Sequence, residues 1–409
     1  MPADEADILV VGTGAAGLST AIALAQSGFA VAAIGTLDTL SNGRTVALFE
    51  GSLRFFRALN LRLADQAAKI EAIEMIDATG SRVPIPRIAF SADEVGLPAL
   101  GANIEADRLV ARLAERAREM PNLHLEPEWL ADIVYEADHV RAVFASGRSI
   151  SAKLIVAADG QRSAVRSKAR IGTRRWSYPQ VALTALTAHE KPHRNTSVEF
   201  HTRSGPCTLV PLPASDQAEH RSSLVWLMSA REAERRRALA AEALAAEIER
   251  EVDAIFGHMR LDGACGFFPM AGMRVARLVG RRIALLGEAA HVFPPLAAQG
   301  LNLSLRDIAV LVECLEAARA RGDDIGSAEA LSPYAEERRS DITLRTSGID
   351  ILNRSLLSDF LPVDLVRGLG FLAFAAIGPL RRAVIMEGIL PHERLPPLMQ
   401  KPLRAAPFP

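Results

Sequence analysis

A glycine-rich segment near the N-terminus constrains the fold of this chain more than any other feature. A largely apolar run over residues 7–11 ends at Gly12, and a helix-like stretch follows Gly17. A second apolar run over residues 29–34 completes a strand–helix–strand unit of about 30 residues. In such a unit Gly12 permits the tight turn, Gly14 lets the backbone approach a pyrophosphate, and Gly17 lets the helix pack closely. The pattern predicts a dinucleotide site at the helix N-terminus, where unpaired N–H groups face the phosphates.

One expected part of this fingerprint is missing. An acidic residue normally ends the second strand and holds the ribose hydroxyls, but here that place falls on Ile34, Gly35 and Thr36. Asp38 from the following loop is one substitute, and water with backbone groups is another. The segment alone therefore does not distinguish NAD from FAD.

Composition narrows the class of protein. Hydrophobic residues make up 49% of the 409 residues, and 47 basic side chains balance 48 acidic ones. Because this balance gives no global positive field, a nucleic-acid partner is not expected. Three cysteines, Cys207, Cys265 and Cys314, are far apart and predict neither a disulfide framework nor a metal site.

The chain shows no targeting or spanning segment. The start at Met1 lacks the basic and apolar regions of a secretion signal, which favours a cytoplasmic location. The longest apolar stretch, Phe371 to Leu380, is shorter than the roughly 20 residues that a spanning helix needs. Arginines flank it, so peripheral contact with the inner membrane stays open as an alternative.

The order of elements predicts an α/β protein with interleaved parts. A Rossmann-type domain with a mostly parallel sheet is expected over residues 1–75, 100–175 and 270–340. Short β-type segments separated by turns predict an antiparallel-sheet substrate domain over residues 76–99 and 176–269. Residues 341–409 are expected to form a C-terminal helical region.

A second motif identifies the cofactor class. Asp159 and Gly160 follow a buried strand, and Ser163 and Arg166 come shortly after. This stretch resembles the DG motif of the single-component FAD-dependent aromatic hydroxylases, the para-hydroxybenzoate hydroxylase-like family. The resemblance implies that Asp159 and Gly160 lie near FAD and the path of the nicotinamide donor. Taken alone, an Asp-Gly pair after a strand is a common turn.

A third motif runs from Gly287 to Asn302 and resembles the same family. There the acid after the glycine, here Glu288, binds the ribityl chain, and the Gly-Leu-Asn segment places backbone N–H groups against the flavin edge. A helix that begins at Gly300 would direct its positive end to the reduced flavin. The family usually has Asp at 288 and Gly at 297, where this chain has Glu and Ala. The cofactor-binding residues predicted from the three motifs, with Arg44 as a charge partner, are Gly12, Gly14, Ala15, Ala16, Gly17, Arg44, Asp159, Gly160, Gly287, Glu288, Pro295, Gln299, Gly300, Leu301 and Asn302.

Further segments resemble one branch of the family, the polyprenylphenol hydroxylases of ubiquinone biosynthesis. These segments are scattered in order over most of the chain: residues 43–48, 199–200, 205–206, 210–212, 223–226, 268–270, 352–355, 367–370 and 379–382. The resemblance implies that NAD(P)H reduces FAD, dioxygen adds to give a flavin hydroperoxide, and the distal oxygen attacks the aromatic ring. The protein then positions the substrate against the flavin, excludes water from the site and stabilises charge.

A polyprenyl substrate needs an apolar wall in its binding site. Ordinary core packing explains the candidate residues for this wall almost as well. The residues predicted to line it are Phe200, Leu209, Pro211, Trp226, Phe268 and Pro294. Ionising a phenol needs a base, yet spacing does not choose among His189, His193 and His201, and packing is the favoured interpretation of each. The same holds for His291. No catalytic residue is predicted, and no metal.

Three functions remain open at this level. The first is hydroxylation of a polyprenylphenol, with a peripheral membrane or quinone-biosynthesis complex as partner. The second is hydroxylation of another small aromatic, or flavin-dependent reduction of a prenyl chain. The third is a non-catalytic flavoprotein subunit of a biosynthetic complex, which the missing acid, Glu288 and Ala297 leave open.

Overall fold

The first unit of the fold is the predicted strand–helix–strand. The computed structural model describes residues 4–37, 43–79, 87–202, 205–294, 298–356, 377–390 and 395–400. Strand β1 (Glu5–Val11) pairs in parallel with β2 (Val31–Ile34), and helix α1 (Ala15–Gln26) joins them. The consecutive buried residues of β1 and β2 reflect a sheet that is covered on both faces.

An eight-stranded sheet grows around this unit. Its main order is β17-β18-β11-β1-β2-β8, with β10 pairing β11 and β9. The strands added to β1 and β2 are β8 (Leu123–Glu126), β9 (Leu130–Tyr135), β10 (Val140–Phe144), β11 (Ser149–Ala157), β17 (Val279–Gly280) and β18 (Ile283–Leu285). Helices α3 (Ala106–Arg118) and α4 (Ala164–Lys168) belong to the same part of the chain. Because β1, β2, β8, β11 and β18 are parallel, the loops that follow several of them meet at one edge.

A three-stranded sheet lies between the two larger ones. Its order is β3-β7-β4, formed by β3 (Thr45–Phe49), β4 (Ala67–Ile70) and β7 (Gly101–Glu105). Helix α2 (Glu50–Ala58) follows β3 directly. Asn103 of β7 donates through Nδ2 to the carbonyl of Pro211 (3.0 Å) and to Ser223 Oγ (3.0 Å), which fastens this small sheet to the next one.

The second large sheet has the order β19-β16-β12-β15-β14-β13-β5-β6 and is mostly antiparallel. Its strands are β5 (Ala72–Asp77), β6 (Ile88–Ser91), β12 (Thr173–His189), β13 (Thr196–Thr202), β14 (Gly205–Leu212), β15 (Arg221–Ser229), β16 (Met259–Val275) and β19 (His291–Val292). Two helices, α5 (Ala230–Arg237) and α6 (Ala241–Glu251), cover one face of this sheet.

Long helices complete the molecule. Helix α7 (Gln299–Arg321) packs against α1 and against α8 (Ala328–Leu356), and α9 (Gly378–Ile389) follows. The α/β fold with a parallel sheet, an interleaved antiparallel sheet and a helical C-terminal region is confirmed. None of the helices within the described ranges combines the length and apolar character needed to cross a membrane. The apolar stretch Phe371 to Leu380 lies largely outside the described residues.

Candidate active site

The glycine-rich turn after β1 has the geometry of a phosphate cradle. A Cβ atom at Gly12 would lie 2.3 Å from the carbonyl oxygen of Ala158, and one at Gly17 would lie 1.9 Å from that of Gly12, so only glycine allows this packing. Gly14 is the N-cap of α1 and makes no side-chain cap. Ala15 begins the helix. The uncapped N-terminus therefore presents its N–H groups to a ligand.

Gly14 and Gly300 both stand at helix N-termini, Gly14 before α1 and Gly300 in the first turn of α7. Neither has a positive φ, and a Cβ on either would meet no described atom within 4 Å. Packing within the chain and backbone strain therefore do not account for these two glycines. The open space leaves room for a ligand to approach the backbone at both helix N-termini.

The missing ribose acid has a structural counterpart. A Cβ at Gly35 would lie 2.7 Å from Thr13 Oγ1, and this hydroxyl donates to the carbonyl of Thr36 at 2.9 Å. The space next to β2 is thus filled by Thr13 rather than by an acidic side chain. Asp38, the substitute considered above, lies outside the described residues.

The Asp159–Gly160 turn ends β11 beside the first cradle. Asp159 Oδ2 accepts from the Val165 N–H at 3.1 Å, while its buried Oδ1 has no hydrogen-bond partner among the described residues. Burial raises the pKa of Asp159 although Ser163 and nearby backbone N–H groups oppose the shift. A buried carboxylate with an unused oxygen fits a polar ligand, because leaving that oxygen unpaired is costly.

Arg166 joins the second and third motifs. Its guanidinium donates to the carbonyl of Ala289 at 2.7 Å and to that of Gln161 at 2.7 Å. The side chain is buried, and burial together with nearby Arg175 lowers its pKa. This arginine thus fixes the loop after β18 against the turn after β11.

The loop after β18 carries the third motif. Gly287 adopts a φ of 56°, and its N–H donates to Asp307 Oδ2 at 3.1 Å. Glu288 is exposed beside it, and Pro294 is buried. Pro295, the other proline predicted here, lies outside the described residues, as does Ala297.

The side chain of Asn302 has a structural role in addition to the backbone contact predicted for this residue. Its Oδ1 accepts from the Phe49 N–H (2.9 Å) and from Ser52 Oγ (2.6 Å). Its Nδ2 donates to the carbonyls of Ala47 (2.8 Å) and Ala298 (2.6 Å). The side chain therefore fixes β3 and α2 against the start of α7, and only its backbone and those of Gly300 and Leu301 are left to face a cofactor.

A buried ion network lies beneath this loop, and we call it the α7–α8 network. His291 Nε2 donates to Asp307 Oδ2 at 2.7 Å, and Arg338 Nε donates to Asp307 Oδ1 at 2.8 Å. Arg338 also pairs with Asp341 at 2.7 Å, as does Arg306 at 3.1 Å. Burial tends to raise the pKa of Asp307, but His291 and Arg338 outweigh it and hold the pKa below its ordinary value. His291 is thus enclosed in this network, with its ring held by Asp307.

Arg345 extends this network to the start of α7 and to α9. It pairs with Asp341 at 2.7 Å and donates to Gln299 Oε1 at 3.3 Å. It also pairs with Glu387 of α9 at 3.0 Å. Sequence reasoning missed Arg338, Asp341 and Arg345, because no pattern shows that α8 would lie beside α7.

The predicted substrate wall divides between the two faces of the antiparallel sheet. Phe200, Leu209 and Trp226 lie in the core under α5 and α6, so their placement favours core packing over a substrate role. Strand alternation is the reason, since neighbouring side chains point to opposite faces. Phe268 faces the other way, with the Arg44 guanidinium 5.6 Å from its ring centre.

The structure also shows the surroundings of Pro211 and of the three candidate histidines. Pro211 contributes its carbonyl to Asn103. His189 and His193 pack together at the far end of the sheet, with ring centres 6.0 Å apart. His201 is buried with Nε2 2.8 Å from Glu199 Oε1. Within the described ranges no group of three or more His, Cys, Asp or Glu side chains could hold a metal ion.

Comparison with known proteins agrees with this geometry. A model of the FAD binding domain family matches residues 5–344. The chain belongs to this family. It is 33% identical to the ubiquinone hydroxylase UbiL of Rhodospirillum rubrum, over 98% of this chain and 94% of that protein. It is 28% identical to the 3-demethoxyubiquinol 3-hydroxylase of Escherichia coli, over 93% of this chain and 97% of that protein.

Solved structures agree on the fold. The p-nitrophenol 4-monooxygenase PnpA of Pseudomonas putida superposes with a TM-score of 0.77 at 19% identity, covering 94% of this chain and 98% of that one. The family match and the two hydroxylase relatives, together with this fold, make the chain an FAD-dependent monooxygenase. The fit of its glycine cradles, of Asp159 and of the α7 N-terminus agrees with FAD as the cofactor.

Proposed function

We propose that this protein hydroxylates the aromatic ring of a polyprenylphenol intermediate in ubiquinone biosynthesis, with NAD(P)H as electron donor and dioxygen as oxidant. The observation that carries the proposal is the similarity to the Rhodospirillum rubrum ubiquinone hydroxylase, which extends over nearly the whole of both chains. The similarity therefore includes the antiparallel sheet and the C-terminal helices that surround a substrate, as well as the cofactor domain.

Each predicted cofactor residue has a place in the proposed site. The uncapped start of α1, with Gly14, Ala15 and Ala16, would hold the pyrophosphate, and Arg44 would offset its charge. Asp159 and Glu288 would accept from FAD hydroxyl groups. The backbone of residues 300–302 would contact the flavin edge, where the positive end of α7 stabilises negative charge. When bound, FAD supplies the redox chemistry that transfers one oxygen atom from dioxygen to the ring.

The side chains around this position would orient the substrate and exclude water. Phe268 lies on the face of the antiparallel sheet opposite Trp226, and Pro294 belongs to the loop after β18, residues 286–294, which we call the flavin loop. Both side chains would border the substrate. Arg44 lies over Phe268, so the phosphate end and the substrate face are adjacent.

A membrane contact is part of the proposal because a polyprenyl substrate resides in the bilayer. Leu344 and Ile351 are 65% and 67% exposed and lie seven residues apart on α8, so they share one face of the helix. Ile377, at the start of α9, is 49% exposed. Exposed apolar side chains in one region favour a peripheral contact.

Deleting the gene and profiling isoprenoid quinones tests the proposed pathway. We expect ubiquinone to fall and a prenylated phenol that lacks one hydroxyl to accumulate. Complementation with the intact chain should restore ubiquinone, whereas a Gly14→Val variant, which blocks the pyrophosphate cradle, should not. An unchanged quinone pool with no phenolic precursor would contradict the proposal.

A further inference from the structure

Helix α8 carries a stripe of exposed apolar positions. Leu344, Gly348 and Ile351 follow one another at spacings of four and three residues, so they lie along one face of the helix. Leu344 and Ile351 are 65% and 67% exposed, and a Cβ at Gly348 would meet no described atom within 4 Å. The stripe is therefore an apolar surface that the described residues leave uncovered.

Two arginines face each other on neighbouring strands of the antiparallel sheet. Arg174 of β12 and Arg274 of β16 are partners in register, so their side chains lie on the same face. Neither forms an ion pair with any described residue. Like charges directly opposite each other destabilise a strand pair, so sheet stability does not account for them. The sequence also has no Asp or Glu over residues 160–189 or 263–287, which leaves this part of the sheet strongly basic.

The indole of Trp176 joins the two arginines to α8. Its ring centre lies 5.9 Å from the Arg274 guanidinium, and a Cβ at Gly272 would lie 2.1 Å from its Cε2 atom, so the indole covers the backbone of β16. Its Nε1 donates to the Tyr178 hydroxyl, which in turn donates to Asp350 of α8. The arginines, the indole and the helix therefore form one continuous surface.

A third arginine borders the apolar stripe. Arg354 pairs with Asp350 at 2.9 Å, yet its side chain is 64% exposed. Asp350 is the one carboxylate that contacts these side chains among the described residues, so three guanidinium groups face a single acid. Exposed Glu337, two turns before Leu344, marks the end of the surface. We call the following six residues the α8 face: Arg174, Trp176, Arg274, Leu344, Ile351 and Arg354.

The composition of the α8 face indicates the chemistry of its partner. Exposed aliphatic side chains enter the acyl boundary of a bilayer, indole rings favour the level of the headgroups, and basic side chains bind anionic lipids. A dissolved anion, such as the phosphates of the electron donor, would use the arginines but leave the apolar stripe in water. An anionic lipid surface therefore matches all six residues.

We propose that the α8 face docks this protein on an anionic lipid bilayer. Leu344 and Ile351 enter the boundary of the acyl chains, and the three arginines of the face bind lipid phosphates. This inference deepens the proposed function and rests on it, because a polyprenylphenol resides in the bilayer. Trp176 and Phe293 of the flavin loop pack against the same small cluster around Tyr178. Docking thus places the bilayer beside the proposed substrate position.

Flotation of holoenzyme with lipid vesicles tests the proposal. Vesicles of phosphatidylcholine and phosphatidylglycerol in equal parts should bind the wild type, pure phosphatidylcholine should bind it far less, and added salt should release it. Arg174→Gln combined with Arg274→Gln should lower the partition coefficient about twentyfold, because each arginine near an anionic surface contributes about fivefold. Ile351→Ser should lower the partition coefficient about tenfold, because it removes apolar area from the contact.

The chain offers a matched control for each change. Arg175 neighbours Arg174 in β12 but points to the opposite face, where it donates to the carbonyl of Gln161 at 3.3 Å. Arg175→Gln should therefore bind vesicles as the wild type does. Trp129→Ser removes a side chain that is 62% exposed on the loop before β9, and it should also bind normally. Thermal unfolding checks that every variant is folded.

Three results would overturn the inference. The first is equal binding of the wild type to neutral and anionic vesicles, or no binding to either. The second is an equal loss in the Arg174→Gln, Arg274→Gln double variant and in Arg175→Gln. The third is a double variant that keeps its vesicle binding but has a raised KM for NAD(P)H, which would assign these arginines to the electron donor.

Hydroxylation of dissolved 2-prenylphenol separates this inference from the proposed function. Both stand if the wild type and the double variant hydroxylate the dissolved phenol equally, and only the wild type acts efficiently on a polyprenylphenol held in anionic vesicles. If the wild type binds these vesicles through the α8 face but hydroxylates neither phenol, the proposed function fails and the docking stands. If it hydroxylates the dissolved phenol without binding vesicles, the docking is wrong and the ring hydroxylation stands.

Discussion

Helix α8 takes part in two arrangements of polar groups, the α7–α8 network and a hydrogen-bonded set of four residues, Trp176, Tyr178, Asp350 and Arg354, which we call the Tyr178 chain. In the first, His291, Asp307 and Arg338 are enclosed, and Asp307 lies between the other two side chains. In the second, burial decreases stepwise from Tyr178 to Arg354. An enclosed network fixes positions, because any lost partner leaves a buried charge. A graded chain can exchange protons with water at its exposed end.

Breaking the enclosed network should have the largest effect. Asp307→Asn removes the charge that Arg338 and His291 face, and loss of one partner of a buried pair costs about 3–5 kcal/mol of stability. The free energy of unfolding from urea titration measures this loss, and gel filtration should show FAD release because Asp307 also holds Gly287. The same change at Asp350 should cost less than about 1 kcal/mol. Equal losses in the two variants would remove the distinction.

Weakening the contacts of Arg345, which join the α7–α8 network to the start of α7, should have the second-largest effect. Arg345→Lys keeps the charge but cannot contact Asp341, Gln299 and Glu387 together. We expect a loss of about 1.5–3 kcal/mol and weaker FAD binding, since Gln299 begins α7. Fluorescence titration of apoprotein with FAD measures the second effect. Arg339→Lys, on the exposed side of α8, is the control. An unchanged FAD affinity in Arg345→Lys would show that the network does not reach the cofactor.

A third buried polar group, His189, should respond to acid independently of the α7–α8 network and the Tyr178 chain. Burial, with nearby His193 and His220, lowers the pKa of His189 from 6.5 to about 4. The unfolded chain takes up a proton that the folded state refuses, so the free energy of unfolding falls as pH drops from about 6.5 to about 4. His189→Phe, which can keep the stack on Phe256, should flatten this window. A profile that keeps its slope in the variant would assign the effect to other groups.

The enclosed carboxylates respond at lower pH. Burial opposes ionisation of Asp341, yet Arg306, Arg338 and Arg345 lower its pKa to about 2. Ionised Asp341 stabilises the fold through these arginines. This contribution is complete above the unfolded pKa of 3.8 and is lost as pH falls toward 2. Toward the lower of these limits, the slope of the free energy of unfolding against pH should therefore be the same in His189→Phe as in the wild type.

The exposed end of the Tyr178 chain should give the smallest change in stability. Arg354→Gln removes a surface ion pair with Asp350, and such pairs contribute about 0–1 kcal/mol. Thermal unfolding at low and high salt should be close to wild type. A loss comparable with that of Asp307→Asn would mean that the chain is a structural network like the other.

The family of the chain and the strand–helix turn at Gly12 were predictable from sequence, for a physical reason. Gly12, Gly14 and Gly17 act through local backbone geometry, and Asp159 follows its own strand, so short motifs contain the necessary information. The loop at Gly287 likewise directly follows its own strand, so a short motif identifies it. Even here the side chain of Asn302 has a role that only the packing of β3 on α7 reveals.

The substrate side was less predictable. Which face of a strand packs under α5 and α6 depends on register between distant strands, so Phe200 and Trp226 could not be told from Phe268 by sequence. Tyr178 and Asp350 are 172 residues apart, and no local pattern links β12 to α8. Their contact is a property of the tertiary fold alone.

The central claim, that this protein places one atom of dioxygen on the ring of a prenylated phenol, has a direct test. Purified holoenzyme is supplied with NAD(P)H, 2-prenylphenol and isotopically labelled dioxygen, and the product is examined by mass spectrometry. The account predicts one labelled oxygen on the aromatic ring. A product that gains two hydrogens in its prenyl chain, or unchanged phenol while NAD(P)H is consumed only to form hydrogen peroxide, would contradict it.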